Sequence, residues 1–251
     1  MILHSGSYHK TMKPIAKAVM TITIFNVAER ALGFLFKIYL SREIGAVGMG
    51  IYSVALSFFF VLLTLIVSGI PLVVSKNTAK DGTKSGGVCS AALIVELVAA
   101  IAICLATLAL NKPIGSLFAE RESMTLVLIM LPALVFSGVY SSFRGVLWGE
   151  KKFAAVSIVE LIEQVARILV CIVLFVVAGN KIRSVAISMV AACAVSAAAC
   201  AIFYFAGKRR LKSPRGHFKT LLASSVPITL SRTTSSVNGY VTAIAIPFLL
   251  M

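Results

Sequence analysis

Charged side chains stand inside the apolar stretch of residues 15–40, where Asn26, Arg30 and Lys37 share one face of a predicted helix and Glu29 lies beside them. A guanidinium or ammonium group in this setting can bind phosphate, whereas a carboxylate can bind a proton or a cation. A charge at the bilayer centre costs at least about 2.5–3.5 kcal/mol, so these side chains should face other helices or water. The alternative is a buried ion pair that only holds helices together.

A second charged stripe lies within residues 153–178, where Glu160, Glu163, Gln164 and Arg167 follow helical spacing on one face. Glu163 precedes Arg167 by four residues, the order that favours an ion pair on a helix. This pair either neutralises itself or leaves Arg167 able to bind a ligand directly, and the two roles can coexist.

The elements that must hold these stripes are membrane helices. The chain has 251 residues, of which 59% are hydrophobic and only 13% charged, and its mean hydropathy is +0.98. This composition excludes a soluble domain and predicts an all-α polytopic membrane protein. Six complete spans and the start of a seventh can be marked, at residues 15–40, 48–74, 86–110, 124–146, 153–178, 184–206 and 219–251. The connections are short, so neighbouring helices should pack antiparallel.

The basic residues predict the orientation of the chain. Most of the 24 Lys and Arg residues lie in the N-terminal segment, or in the connections that follow the second, fourth and sixth spans. Because the side richer in Lys and Arg is cytoplasmic, we expect residues 1–14 to be a cytoplasmic segment in the cell membrane. The connection at 207–219 is the most basic, and we interpret it as a topology signal that also contacts anionic lipid headgroups.

The deep charges all fall on odd-numbered spans. Glu96 lies in the third span and Arg232 in the seventh, at depths that resemble those of Arg30 and Arg167 when a helical rise of about 1.5 Å per residue is applied. Independent structural ion pairs have no reason to share both depth and helix parity. We therefore predict a central polar chamber lined by the odd-numbered helices, with four positive and four negative embedded charges.

Several classes of function are disfavoured by the same pattern. The net charge of +15 is spread between apolar runs rather than gathered on one soluble face, so we expect no nucleic-acid partner. The five cysteines lie in or beside apolar runs without metal-binding spacing, and no nucleophile–base arrangement stands near the spans. We therefore predict that the protein is not an enzyme and needs no metal or cofactor.

Three segments resemble one family of membrane proteins. AERALGFLFKIYLSREIGAVGMGIYSVAL (28–56), FRGVLWGEKKFAAVSIVELIEQVARILV (143–170) and SVPITLSRTTSSV (225–237) are similar to segments of the multidrug/oligosaccharidyl-lipid/polysaccharide exporter superfamily, in its stage V sporulation protein B and polysaccharide-exporter branch. Within this resemblance Arg30 matches the arginine of the R-x-L-G-F element of the lipid II flippase branch. Phe36 stands where that element carries a second arginine, and Lys37 follows it.

The resemblance implies a MATE-like fold and the flipping of lipid-linked oligosaccharide, such as undecaprenyl-pyrophosphate saccharide, by alternating access. The substrate-binding candidates are then Asn26, Arg30, Lys37, Arg167 and Arg232. The alternative is a multidrug antiporter coupled to H⁺ or Na⁺, for which the ion-coupling candidates are Glu29, Glu96, Glu160 and Glu163. Membrane lipids are the other expected partners.

The resemblance also implies twelve to fourteen helices in two lobes. Residues 15–206 then form a six-helix N-terminal lobe, the basic loop 207–219 joins the lobes, and residues 220–251 begin the second lobe. We expect the chain to be the N-terminal half of such a protein or to pair with a second chain. The third hypothesis is an interaction protein or an inactive fragment.

Overall fold

The computed structural model describes residues 6–116, 118, 120–214 and 216–249, and these residues form helices and no strand. The helices are α1 (Gly6–Val67), α2 (Ile70–Lys80), α3 (Ser85–Ala109), α4 (Asn111–Gly115), α5 (Arg121–Gly149), α6 (Phe153–Val177), α7 (Lys181–Ala206) and α8 (Phe218–Leu249). The prediction of an all-α membrane protein is confirmed. Four stretches of the described residues are long and apolar enough to cross a membrane: Ile22–Lys80, Ser85–Ala109, Arg121–Gly149 and Lys181–Ala206.

Helix α1 contains the first two predicted spans, separated by a break at Gly45. The backbone angles there are φ 70° and ψ 178°, a left-handed conformation that glycine adopts without the steric cost of a side chain. Residues 33–40 and 49–60 line one shared cavity, so the chain reverses at this break and the two arms lie side by side. The second arm ends at Val67 and α2 begins at Ile70, so the predicted span over 48–74 comprises this arm and the start of α2. Pro71 lies in the first turn of α2, where its missing N–H costs no helical hydrogen bond.

Helix α5 is the central helix of the lobe and contacts α1, α2, α3, α4, α6 and α7. Its buried side chains contribute to two hydrophobic clusters. One cluster surrounds Met130 and Leu134 towards the Gly45 end, and the other surrounds Phe143 and Leu147 towards the opposite end. This arrangement fixes the rotation of α5 and therefore the direction of its polar side chains.

Two glycines allow α2 to approach α5 closely. Gly145 and Gly149 are one turn apart, the small-xxx-small pattern by which membrane helices pack tightly. A Cβ atom added at Gly149 would lie 2.6 Å from the Thr78 Cβ, and one added at Gly145 would lie 2.9 Å from the Val74 Cβ. Any side chain at these two positions would therefore push α2 away.

The connections gather at two ends of the lobe. At one end the 207–217 loop is bound to its neighbours: Lys212 donates to the Thr83 carbonyl at 3.3 Å, and Arg209 pairs with Glu150. At the other end, which holds Gly45, Lys181 pairs with Glu43 at 2.6 Å. The connections rich in Lys and Arg therefore lie at the same end of the lobe, as expected when successive spans run in opposite directions.

Helix α8 packs against α1, α2 and α3. Its first turns are fixed by the buried Leu221 and Ser225, and the Ser225 carbonyl lies where a side chain at Gly69 would be. Residues 1–5 of the predicted N-terminal segment and residues 250–251 of the predicted seventh span lie outside the described residues.

Candidate functional site

A polar cavity of about 260 Å³ lies between the first arm of α1, α5 and α6. Helix α6 directs all four residues of its charged stripe into it, spaced so that they share one face. The lining residues are Glu29, Tyr140, Arg144, Glu160, Glu163, Gln164 and Arg167. Four of the predicted site residues, Glu29, Glu160, Glu163 and Arg167, are therefore brought together.

Two ion pairs organise the cavity. Arg167 Nη2 lies 2.8 Å from Glu163 Oε1, so the predicted pair within α6 is confirmed. Arg144 Nη2 lies 2.9 Å from Glu160 Oε1, which also accepts a hydrogen bond from the Tyr140 hydroxyl at 3.1 Å. Both arginine side chains are about one quarter exposed, 26% for Arg144 and 23% for Arg167, so each pair is only partly removed from solvent.

Each of these arginines retains a free donor. The Nε–H groups of Arg144 and Arg167 are buried, and neither has a hydrogen-bond partner among the residues that the structure describes. A buried donor without an acceptor costs about 1–3 kcal/mol, so a ligand oxygen that reached it would be stabilised. An anion that displaced part of either ion pair would therefore gain a donor that has no partner in this arrangement.

Glu29 is the third carboxylate of the cavity. It is partly buried, and it forms no ion pair or hydrogen bond with any side chain in the described part of the chain. A partly buried carboxylate that no arginine contacts directly can bind a proton or a metal cation. Glu29 therefore differs from Glu160 and Glu163, which are both engaged by arginine.

A second cavity of about 330 Å³ continues the first between the two arms of α1. Gln164 and Arg167 line both cavities, and Lys37 and Gly33 line only the second. Gln164 packs against Gly33, where an added Cβ would lie 3.7 Å from the Gln164 Nε2, an ordinary contact distance. The two cavities adjoin along α1 and α6 and together are called the polar seam, although the wall of the second also contains apolar side chains such as Phe36, Leu40 and Met49.

Three predicted binding residues lie outside both cavities. Asn26 and Arg30 are exposed on the first arm of α1, on the helical stripe that also holds Lys37. Arg232 is exposed on α8 and lines neither cavity.

Glu96 does not face the seam, so the prediction that it lines the chamber is wrong. Its side chain is fully buried, with 0% exposure, between α3 and α5. Its carboxyl group is hydrogen-bonded to the Ser141 hydroxyl at 2.7 Å and to the Ser142 hydroxyl. The depth inferred from the sequence did not specify rotation about the helix axis, and the rotation turns Glu96 towards α5.

Arg144 and Tyr140 are site residues that sequence reasoning missed. Arg144 lies near the end of a predicted span and Trp148 follows Tyr140 by two turns, positions typical of residues that anchor a helix at the membrane interface. The three recur every fourth residue on α5, and the Arg144 guanidinium carbon lies 4.1 Å from the Trp148 ring centre and 5.5 Å from that of Tyr140. This four-residue spacing is the feature of the sequence from which the contacts of Arg144 could have been predicted. The chamber is consequently lined by an even-numbered span, and none of its described lining residues belongs to α3 or α8.

Comparison with known sequences gives one family and one curated relative. Residues 15–250 match the model of the family described as "Polysaccharide biosynthesis protein". The stage V sporulation protein B of Bacillus subtilis (strain 168) is 24% identical over 172 residues, which cover 65% of this chain and 33% of that protein.

Comparison with solved structures gives transporters of similar fold. An outward-facing multidrug resistance MATE family transporter of the MOP superfamily aligns with a TM-score of 0.69 at 16% identity, over 88% of this chain and 53% of that one. A MOP superfamily transporter from Pyrococcus furiosus, described as having a binding pocket of reversed polarity, aligns with a TM-score of 0.67 over the same shares. The chain thus spans about half the length of these transporters.

Proposed function

Because the chain belongs to the polysaccharide biosynthesis protein family, within the MOP superfamily, we propose that it forms the N-terminal lobe of a lipid-linked oligosaccharide flippase. The substrate is of the undecaprenyl-pyrophosphate type, and the protein moves it across the cytoplasmic membrane by alternating access. A second lobe, on the same or another chain, forms the opposite wall.

The observation that carries this proposal is the pair of free guanidinium donors in one cavity. Arg144 and Arg167 present buried Nε–H groups that have no acceptor among the described residues, and both line the same space of about 260 Å³. A guanidinium group binds phosphate through several planar donors, and a pyrophosphate offers oxygens to two such groups at once. Neutral sugars and hydrocarbon chains offer no comparable partner.

The neighbouring cations support the same ligand. Lys37 lines the adjoining cavity, and the exposed Arg30 lies two turns earlier on the same arm of α1. Lys37, Arg144 and Arg167 equal the three carboxylates of the seam in number, and Arg30 adds a fourth cation outside both cavities. The seam and its immediate surroundings therefore carry one excess positive charge. Arg232 and Asn26 join these residues when the second lobe closes the chamber.

The lobes rock around this site, as in other two-lobed transporters. In this arrangement residues 15–206 are one rigid lobe, 207–219 is the loop between lobes, and 220–251 begin the second. Residues 1–14 and the basic loop face the cytoplasm, in accordance with the distribution of Lys and Arg.

Binding of undecaprenyl pyrophosphate to the protein in nanodiscs tests the proposal, with undecaprenol as the uncharged probe. We expect Arg167→Gln and Arg30→Gln each to weaken binding of the pyrophosphate roughly ten- to hundredfold, since a charged hydrogen bond contributes about 1.5–3 kcal/mol. Arg42→Gln, an exposed residue near Gly45, is the matched control and should not change binding. Equal affinity for undecaprenol, or unchanged binding by both variants, would overturn the proposal.

The second candidate is a multidrug antiporter coupled to H⁺ or Na⁺, and the unpaired Glu29 favours it. In that case Glu29 binds the coupling ion. Glu160 or Glu163 also binds this ion once its ion pair with arginine is broken. Ethidium efflux from cells that express the protein discriminates between the two. Efflux that requires an ion gradient and is lost in Glu29→Gln supports the antiporter, and efflux that is unaffected by Glu29→Gln excludes it.

A further inference from the structure

A cavity of about 620 Å³ lies at the Gly45 end of the lobe, at the junction of α4 and α5. Its wall combines the cations Lys112 and Arg121 with the apolar side chains Met124 and Leu128. No residue of this cavity belongs to the polar seam, and the cavity has no role in the proposed transport.

The cavity carries unneutralised positive charge. Lys112 and Arg121 are exposed, and neither forms an ion pair within the described part of the chain. Two carboxylates flank Arg121 in sequence. Glu122 is paired with Arg183 at 2.9 Å, and Glu120 is exposed and does not line the cavity. An anion in the cavity would therefore meet two cations and no lining carboxylate.

The cavity opens where a lipid-facing surface ends. Five exposed apolar residues recur every three or four positions along one face of α3, and they are Ile94, Val98, Ile101, Leu105 and Leu108. The stripe spans about 21 Å at a rise of about 1.5 Å per residue, more than the roughly 15 Å of hydrocarbon in one leaflet. Helix α3 ends at Ala109, and Asn111 and Lys112 of the cavity follow directly. The stripe therefore ends next to α4, the short helix that contributes Asn111 and Lys112 to the cavity wall.

We propose that this cavity binds the phosphate headgroup of an anionic phospholipid in the leaflet at the Gly45 end. Lys112 and Arg121 contact the phosphate, Met124 and Leu128 contact the glycerol and the first acyl carbons, and the α3 stripe holds one acyl chain. The lipid joins α3, α4 and α5 at an end of the lobe where α4 is only five residues long.

Thermal unfolding in dodecyl maltoside tests this site, with phosphatidylglycerol or phosphatidylcholine of the same acyl chains added. We expect phosphatidylglycerol to raise the Tm and phosphatidylcholine to leave it unchanged. Lys112→Gln and Arg121→Gln should each weaken the apparent affinity for phosphatidylglycerol about fivefold, as expected for one cation near an anionic headgroup. Lys112→Arg retains the charge and should retain the effect.

Arg42→Gln is the matched control, because it removes one exposed positive charge near the same end but outside the cavity. The proposal is overturned if Arg42→Gln weakens the lipid effect as much as Arg121→Gln does, since that would be general attraction to the surface. It is also overturned if the two lipids act alike, or if inorganic phosphate alone gives the full stabilisation. None of these outcomes depends on binding in the seam.

Discussion

The guanidinium carbon of Arg144 lies 4.1 Å from the centre of the Trp148 ring, one turn further along α5. The same guanidinium is paired with Glu160 on α6, so the indole holds the cation in place for an interhelical contact. Stacking of this kind contributes about 0.5–2 kcal/mol, depending on how far the pair is desolvated. Trp148 is therefore part of the support of the cavity, although it does not line it.

A double-mutant cycle measures this support. We expect Arg144→Ala and Trp148→Leu to be coupled by about 0.5–2 kcal/mol in the free energy of unfolding in mixed detergent, because each removes the same contact. The control cycle combines Trp148→Leu with Arg183→Ala, at the opposite end of the lobe. The effects of these two substitutions should add. Additive effects in the Arg144 cycle would show that the ring and the cation do not stabilise each other.

Replacing Glu163 should change the affinity for the ligand in the opposite direction to replacing an arginine. Glu163 Oε1 lies 2.8 Å from Arg167 Nη2, where it competes with a phosphate for the guanidinium. Glu163→Gln removes the competing charge, so we expect it to bind undecaprenyl pyrophosphate several-fold more tightly in nanodiscs. Glu43→Gln, which breaks the exposed pair with Lys181, is the matched control and should leave the affinity unchanged. Weaker binding by Glu163→Gln would mean that this glutamate holds Arg167 in position for the ligand rather than competing with it.

Glu96 is predicted to stabilise the contact between α3 and α5 rather than to bind an ion. Its carboxyl group is enclosed and hydrogen-bonded to Ser141 and Ser142. Glu96→Ala should therefore lower the free energy of unfolding by about 2–5 kcal/mol, through lost hydrogen bonds and the space left behind. Glu96→Gln retains the shape and a hydrogen-bonding group, so it should recover most of the loss. If Glu96→Gln abolished ion-dependent efflux while the Tm stayed unchanged, the structural assignment would be wrong.

The sequence was sufficient to predict the long helices but not the shorter α2 and α4, because the length and polarity of a long apolar run reflect the bilayer directly. It also predicted the stripe of Glu160, Glu163 and Arg167, since residues on one helix keep a fixed angular spacing. The gap between the first two predicted spans, residues 41–47, contains the break at Gly45.

The partners across helices could not be predicted in the same way. Depth along a helix follows from counting residues, but rotation about its axis depends on packing against neighbours. Glu96 and Arg167 have similar predicted depths, yet one is enclosed against α5 and the other lines the seam. Arg144 was missed for the converse reason, since its position near a helix end gave no sign that α6 would place Glu160 beside it.

The close approach of α2 to α5 gives a steric prediction. A Cβ atom at Gly149 would lie 2.6 Å from the Thr78 Cβ and 2.7 Å from the Ser75 carbonyl oxygen, both well inside contact distance. Because α2 cannot move without disturbing its buried Val73 and Val74, we expect Gly149→Ala to cost about 1–3 kcal/mol of stability and to lower the Tm in detergent.

The control for this substitution is Gly50→Ala, a helical glycine where an added Cβ meets nothing within 4 Å. Alanine is favoured over glycine in a helix by about 1 kcal/mol, so Gly50→Ala should keep or raise the Tm. A Tm for Gly149→Ala equal to that of Gly50→Ala would show that α2 and α5 are further apart than described. The support that α5 receives from α2, and with it the position of Arg144 in the seam, would then have to be revised.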